Sequence, residues 1–271
     1  MLSNCKDDYD VYLRFIHTGI FNPEIESFYV IKKVIDPGIP VGSIPSFEDL
    51  QKFNKHNMEL NEEWFSNIVQ KLRLLRLFKE GNIVSPLQYI YLDFESPISS
   101  ISYFSYGLVL RDRYTLDDSE IDNLNEFINK NELPFEDNSL NNAFQSFELS
   151  YNIIDSGLAL VSCMTALECL LSPNDKMIAE NISKNMGKLI GKDMKSSENV
   201  YSRLRELYKK RSELIHTGHG NITHDDLKDA RNFVREAIKQ YLLADLSKPE
   251  LIKKLKAVGN LKEGKFSGTL Q

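Results

Sequence analysis

Hydrophobic positions in the second half of the chain recur at steps of three or four residues. One stripe consists of Phe144, Phe147, Tyr151, Ile154, Leu158, Val161, Thr165 and Glu168. A second stripe consists of Ile153, Gly157, Leu160, Met164, Leu167 and Leu171. Two stripes predict a helix that is contacted on more than one side, as at the centre of a helical bundle. The Ser156-Gly157 pair is expected to kink or divide this helix, and Ser172-Pro173 is expected to end it.

Three shorter helices are predicted after this central one, at 176–190, 198–215 and 224–243. The last has the clearest start, because Thr223 is a favoured N-cap residue and Asp225 and Asp226 place negative charge in the first turn. The sequence therefore predicts an all-α bundle over residues 139–247. A flexible C-terminal tail is predicted at 248–271.

The first half of the chain has a mixed pattern. Runs rich in β-branched and aromatic residues at 28–35, 88–94 and 102–110 favour strands. Apolar residues at helical spacing over 61–78 favour a helix, and a second helix is predicted from Thr115 to about residue 129. This pattern predicts a mixed α+β N-terminal domain at 1–138, for which no motif suggests a role. The fold class predicted for the whole chain is α+β.

Composition excludes several classes of protein. The three cysteines, Cys5, Cys163 and Cys169, form neither a disulfide framework nor a zinc-binding pattern. No Gly-rich phosphate loop, GxSxG elbow or HExxH motif is present, and no metal or cofactor is expected. The N-terminus lacks the pattern of a secretory signal, and the apolar run 153–171 contains Asp155. A cytoplasmic protein without a membrane span is therefore expected.

Charge is distributed unevenly along the chain. The 271 residues include 33 Lys and Arg against 39 Asp and Glu, a formal net charge of −6. Between 183 and 216 nine basic residues face four acidic ones, 9 − 4 = +5, whereas between 115 and 147 one basic residue faces eight acidic ones, 1 − 8 = −7. The acidic average argues against a protein that coats nucleic acid along its whole surface. It is compatible with nucleic acid binding at one basic site.

Arg211 and His216 are the strongest candidates for chemistry, because they stand at the end of this basic segment. On an ideal helix, positions i and i+5 lie about 140° apart and about 7.5 Å along the axis. Convergence on one anion therefore depends on the length of arginine and on a helix end near His216, where Gly218 and Gly220 follow. An arginine that holds phosphate and a histidine that moves protons suit RNA cleavage by 2′-hydroxyl attack.

The residues around this pair are similar to those of a known family. ALECLL at 166–171 matches the end of a long family helix. Tyr208-Lys-Lys-Arg211-Ser212-Glu-Leu-Ile-His216 matches the family segment Y-x-x-R-S-x-x-x-H-G up to its last position, where this chain has Thr217. On these motifs residues 141–243 resemble a HEPN domain of the Apea-like branch. Arg211 and His216 then stand at the R-x4-6-H signature of the superfamily.

The resemblance implies a metal-independent endoribonuclease that acts as a homodimer through the helical bundle, in bacterial defence or stress response. It implies that His216 is the general acid or base, that Arg211 stabilises charge on the scissile phosphate, and that Glu168 orients one of them. RNA is the implied partner, together with a possible operon-encoded protein. Four neighbours are expected to contact RNA: Tyr208, Lys209, Lys210 and Ser212.

A non-catalytic interpretation uses the same residues. Arg211 and Glu168 can form a structural charge pair between helices, with His216 capping carbonyl groups at the helix end. Ser212 also stands where active members of the superfamily often carry Asn, Asp or His. On this interpretation the chain is a dimeric HEPN module for RNA binding or protein assembly.

Overall fold

The architecture is taken from a computed structural model. It describes residues 2–4, 29–31, 47–81, 83, 87–90, 100–103, 114–173 and 177–258. The chain divides into two compact units, Met1–Trp64 and Phe65–Gln271. The helices are α1 Phe47–Phe78, α2 Ile121–Lys130, α3 Asn138–Asn152, α4 Ser156–Leu171, α5 Ile178–Ile190, α6 Met194–Thr217, α7 His224–Ala244 and α8 Lys248–Ala257.

Strands are few and short in the described ranges. In the first unit β1 (Leu2–Asn4) pairs with β2 (Tyr29–Ile31), and in the second unit β3 (Leu87–Ile90) pairs with β4 (Ser100–Tyr103). Both pairs are antiparallel, with Ser3 opposite Val30 in the first and Tyr89 opposite Ile101 in the second. Each pair is a separate two-stranded ribbon.

The predicted α+β class is wrong for this protein. Where side chains are described, 80% of the residues are helical and none lies in a strand. The β-prone runs at 28–35, 88–94 and 102–110 contain strands of only three or four residues, and the rest of those runs lies outside the described residues. Preference for strands depends strongly on context, and two-stranded ribbons do not make an independently stable layer. The part of the chain whose side chains are described is all-helical in architecture.

The core lies around α4, as its two apolar stripes predict. This helix contacts α3, α5, α6, α7 and α8. Its fully buried residues include Leu160, Met164, Leu167 and Leu170. Burial of a large apolar side chain contributes about 1.5–3 kcal/mol, so this central helix is a main source of stability.

The division between α3 and α4 falls earlier than Ser156-Gly157. Ile153 leaves helical geometry with φ −89° and ψ 124°, and α4 then begins at Ser156. Asp155 is its N-cap, because its carboxylate accepts a hydrogen bond from the Leu158 N–H at 2.8 Å. The capping carboxylate separates the predicted continuous helix into two antiparallel neighbours.

The C-terminal segment differs from the flexible tail predicted at 248–271. Residues 248–257 form α8, whose Leu251 and Leu255 are fully buried in the core. The buried Lys188 ammonium donates to the carbonyl groups of Leu255 and Val258 at 3.0 and 2.7 Å. An apolar face and this cap at its C-terminus explain why α8 packs against α5. The rest of the predicted tail lies outside the described residues.

The division after Trp64 falls within α1, and the boundary predicted at residue 138 stays a prediction. Leu74 and Leu77 of α1 belong to the same hydrophobic core as α3 and α4. Apolar residues that are far apart in sequence therefore share one core, which local patterns do not reveal. No helix in the described ranges has the length and apolar character needed to cross a membrane.

Candidate functional site

Helix α6 carries both candidate residues, and its ends are well defined. Asp193 is the N-cap, and its carboxylate accepts a hydrogen bond from the Ser196 N–H at 2.7 Å. At the other end Gly218 adopts the left-handed conformation with φ 70°, and its N–H donates to the Leu214 carbonyl at 2.9 Å. The helix therefore includes Arg211 and His216 and extends one residue beyond the histidine.

Arg211 faces the central helix. Its Nη2 lies 4.0 Å from Oε1 of Glu168 on α4, and both side chains are 30% exposed. Its Nε is buried and has no hydrogen-bond partner among the described residues. The guanidinium group is thus oriented by a long ion pair, and part of its hydrogen-bonding capacity is unused.

Tyr208 lies one turn before Arg211 and belongs to the same inward face. Its hydroxyl group is buried without a hydrogen-bond partner in the described part of the chain. Burial and, to a smaller extent, the negative charge of Glu168 raise its pKa. Tyr208 is therefore a neutral, buried neighbour of the Arg211–Glu168 pair, and its position favours packing over contact with RNA.

His216 lies on a different side of α6 and is exposed. Because both residues are helical, the angle of about 140° between positions i and i+5 applies to them directly. Arg211 and His216 of one chain therefore do not face the same volume. The structure places Arg211 against Glu168 and leaves the imidazole at the surface, in the last turn of the helix.

Thr217 holds the end of the helix directly after the histidine. Its hydroxyl group donates to the Glu213 carbonyl at 2.6 Å and accepts a hydrogen bond from the His219 N–H at 3.1 Å. These bonds hold the turn that follows α6. His216 is thus presented from a helix end that is fixed by its own neighbour.

The two lysines have different surroundings. Lys209 is 78% exposed and lies 3.8 Å from Glu213, so its ammonium group remains accessible to solvent. Lys210 lies 2.7 Å from a carboxylate oxygen of Asp226 and 3.6 Å from Glu206. Lys209 is therefore placed where it can contact RNA, whereas Lys210 joins α6 to α7. Ser212 is half-buried.

Asp226 is a structural residue of this region that the sequence patterns identify only as part of an acidic first turn. Its carboxylate accepts hydrogen bonds from Lys210, from Arg203 at 2.9 Å and from the Thr223 N–H at 2.8 Å. Burial acts to raise the pKa of Asp226, but these hydrogen bonds outweigh it and lower the pKa to about 2. It holds the helix pair that carries the candidate site.

An apolar surface surrounds the end of α6. A Cβ built on Gly157 would lie 2.6 Å from Cδ2 of Leu214, so the start of α4 and the end of α6 are in close contact. Large apolar side chains next to this contact are exposed: Ile154, Leu158 and Ile215. A group of exposed apolar residues beside a candidate site is typical of an interaction surface.

The described residues contain no group of three or more His, Cys, Asp or Glu side chains arranged to hold a metal ion. Comparison with known proteins finds no match: no family model fits the sequence, and no curated protein and no solved structure is significantly similar to it.

Proposed function

We propose that the protein is a metal-independent endoribonuclease of HEPN type that cleaves RNA by 2′-hydroxyl attack and acts as a homodimer. The observation that supports this most is the end of α6. It combines an exposed imidazole at His216 with a half-buried guanidinium at Arg211, which forms a long ion pair with Glu168 and whose Nε has no hydrogen-bond partner in the described part of the chain. The role in defence or stress response, and an operon-encoded partner, belong to this proposal through the family resemblance alone.

The proposed chemistry needs one proton acceptor, one proton donor and one cation. The imidazole of His216 accepts the proton of the ribose 2′-hydroxyl, and the 2′-oxygen then attacks the phosphorus. The bond from phosphorus to the 5′-oxygen breaks, that oxygen takes a proton from water, and His216 releases the proton that it accepted to the solvent. Arg211 donates hydrogen bonds to the phosphate oxygens while negative charge develops on them. The products are a 2′,3′-cyclic phosphate and a 5′-hydroxyl.

A homodimer resolves the different directions of Arg211 and His216. In a two-fold dimer the same patch meets itself, so a residue from one chain can face a different residue from the other. The exposed side chains of Ile154, Leu158 and Ile215 provide apolar area for such a contact next to His216. The proposed site therefore combines Arg211 of one chain with His216 of its partner.

One observation favours the non-catalytic alternative, a dimeric module for RNA binding or protein assembly. Much of the basic charge near Arg211 is already engaged by carboxylates: Lys210 binds Asp226, and Arg203 binds Asp226 and Asp229. A charge pair between Arg211 and Glu168 fits a structural role equally well. The experiment below separates the two functions.

The test is cleavage of mixed RNA by the purified protein in EDTA, with Arg211→Ala and His216→Ala as inactivating variants. Matched controls are Arg205→Ala and His219→Ala, which change exposed residues of the same types on or next to α6. Cleavage that persists in chelator, disappears in both variants and remains in both controls supports the nuclease. Intact RNA with the wild-type protein, despite measurable binding, supports the module.

Mixed dimers test the composite site directly. If one site uses Arg211 of one chain and His216 of the other, a dimer of Arg211→Ala with His216→Ala retains one complete site. Random mixing makes half of the dimers of this kind, so we expect about a quarter of wild-type activity. A site contained in a single chain predicts no recovery, because every chain then lacks one of the two residues.

A further inference from the structure

A second polar cluster lies between α1, α3 and α7, around the ring of Tyr151. Three of its arginines are buried: Arg76, and on α7 Arg231 and Arg235, which are only 8% and 3% exposed. Glu148 on α3 is buried among them. The cluster thus contains three buried guanidinium groups and one buried carboxyl group.

That carboxyl group is already engaged by α1. Oε2 of Glu148 lies 2.7 Å from Nη1 of Arg76 and 3.4 Å from Nε of Arg73. Arg76 also donates to the Ile83 carbonyl. The pairing that a buried charge requires is therefore met for Arg76 but not for the two arginines of α7.

Arg231 and Arg235 donate hydrogen bonds only to uncharged groups in the described part of the chain, and Glu80 acts on Arg235 through its charge without a hydrogen bond. Arg231 donates to the Ser150 carbonyl at 2.5 Å and stacks over the Tyr151 ring at 4.2 Å. Arg235 donates to the Arg76 carbonyl, to the Tyr151 hydroxyl and to the Asn232 side chain. Neutral partners offset desolvation of a cation less well than an anion does. The cluster is thus built to attract negative charge.

Both arginines line a small pocket, together with Lys228, Asn232, Tyr151, Glu80 and Gly81. As it stands the pocket has room for about one water molecule. Glu80, with a side chain that is 40% exposed, supplies the carboxylate at this site. It lies 2.9 Å from the Lys228 ammonium and accepts a hydrogen bond from Asn232 at 3.3 Å.

We propose that this pocket binds a phosphate group, and that Glu80 is an internal competitor for it. Phosphate oxygens accept hydrogen bonds from the guanidinium group of arginine, from an ammonium group and from a side-chain amide. Because Glu80 is partly exposed, its side chain can turn outward and leave Lys228 and Asn232 to the incoming anion. The geometry points to an anion site at residues that the proposed RNA site does not use.

The experiment is calorimetric titration of the full chain with inorganic phosphate, at constant ionic strength set with sodium chloride. We expect saturable binding with a Kd of about 1 mM or tighter. Glu80→Gln removes the competing charge and should tighten phosphate binding about fivefold. Lys228→Gln should weaken it by a similar factor. A parallel titration with adenosine 5′-monophosphate distinguishes free phosphate from a phosphate carried on a nucleoside.

Glu236→Gln is the matched control for Glu80→Gln. Glu236 lies on α7, is 42% exposed and pairs with Lys239 at 3.1 Å, but does not line the pocket. It should leave the phosphate affinity unchanged. The proposal is overturned if neither wild type nor Glu80→Gln binds phosphate saturably. It is also overturned if Glu80→Gln and Glu236→Gln change the phosphate affinity equally. Both variants alter partly exposed side chains, so the folded state remains available for the measurement.

Discussion

Asp226→Asn tests whether the ion-pair network between α6 and α7 stabilises the site region. Asparagine keeps the size of the side chain and an acceptor oxygen for the Thr223 N–H, but it removes the charge that Lys210 and Arg203 contact. Lowering the pKa from 3.8 to about 2 corresponds to about 2.4 kcal/mol of stability. Because Asp226 is only 1% exposed, solvent does little to screen this energy. We expect Asp226→Asn to lower the free energy of unfolding by about 2–3 kcal/mol at pH 7.

The pH dependence gives this prediction a definite sign. The folded-state pKa of Asp226 is depressed, so its stabilisation is present above pH 4 and is lost as the pH falls towards about 2. The stability difference between wild type and Asp226→Asn should therefore shrink as the pH is lowered through this window. Urea unfolding followed by circular dichroism at several pH values measures both stabilities.

Asp225→Asn is the control, since it removes the same charge from the same helical turn at an exposed position. It retains the buried network and loses only the interaction of Asp225 with the helix dipole, about 0.5 kcal/mol. A difference below about 1 kcal/mol between the two variants at pH 7 would refute the energy assigned to the network. So would a loss in Asp226→Asn that does not change with pH.

Three further predictions concern the core, a helix cap and the apolar surface. Leu160→Ala removes a fully buried side chain of α4 and should destabilise the protein by about 3 kcal/mol in urea unfolding; a loss below 1 kcal/mol would contradict the burial. Thr223→Ala removes the hydroxyl acceptor for the Asp226 N–H and should cost about 1 kcal/mol in the same assay, whereas an unchanged midpoint would contradict the cap. Ile215→Glu, at an exposed apolar position next to His216, should shift a dimer to monomer in light scattering, while Leu243→Glu on α7 should not.

Local signals in the sequence predicted much of the C-terminal fold. Thr223 followed by Asp225 and Asp226 marks the start of α7, and the structure confirms it with a reciprocal pair of hydrogen bonds. Such signals succeed because every contact involved lies within four residues. The central position of α4 could also be predicted from local pattern, because a helix with two apolar stripes needs neighbouring helices on two sides.

What escaped prediction depends on contacts between distant residues. The helix at 248–257 begins with a local signal, the Ser247–Glu250 capping box, but the burial of its apolar face follows from a pocket formed by other helices. Glu148 occurs in a helix that looks ordinary, yet its partners Arg73 and Arg76 lie more than 70 residues earlier. In the described ranges the strands predicted in the first half form only two-stranded ribbons, because strand preference depends on its context. The spacing of residue types along the sequence does not indicate which distant residues come into contact.

Ion pairs reduce the number of basic side chains between 183 and 216 that are available to bind RNA. Nine basic residues lie between 183 and 216, but Lys184, Arg203 and Lys210 are paired with carboxylates at 2.7–2.9 Å. Lys209 and Arg211 remain near the proposed site, which gives about four phosphate contacts in a dimer. For single-stranded RNA this predicts a slope of about −3 for log K against log salt, whereas engagement of all nine in both chains of the dimer predicts about −13. Titration of the His216→Ala variant with RNA at several salt concentrations measures the slope without cleavage, and a value near about −13 would show that the paired lysines and arginines also bind RNA.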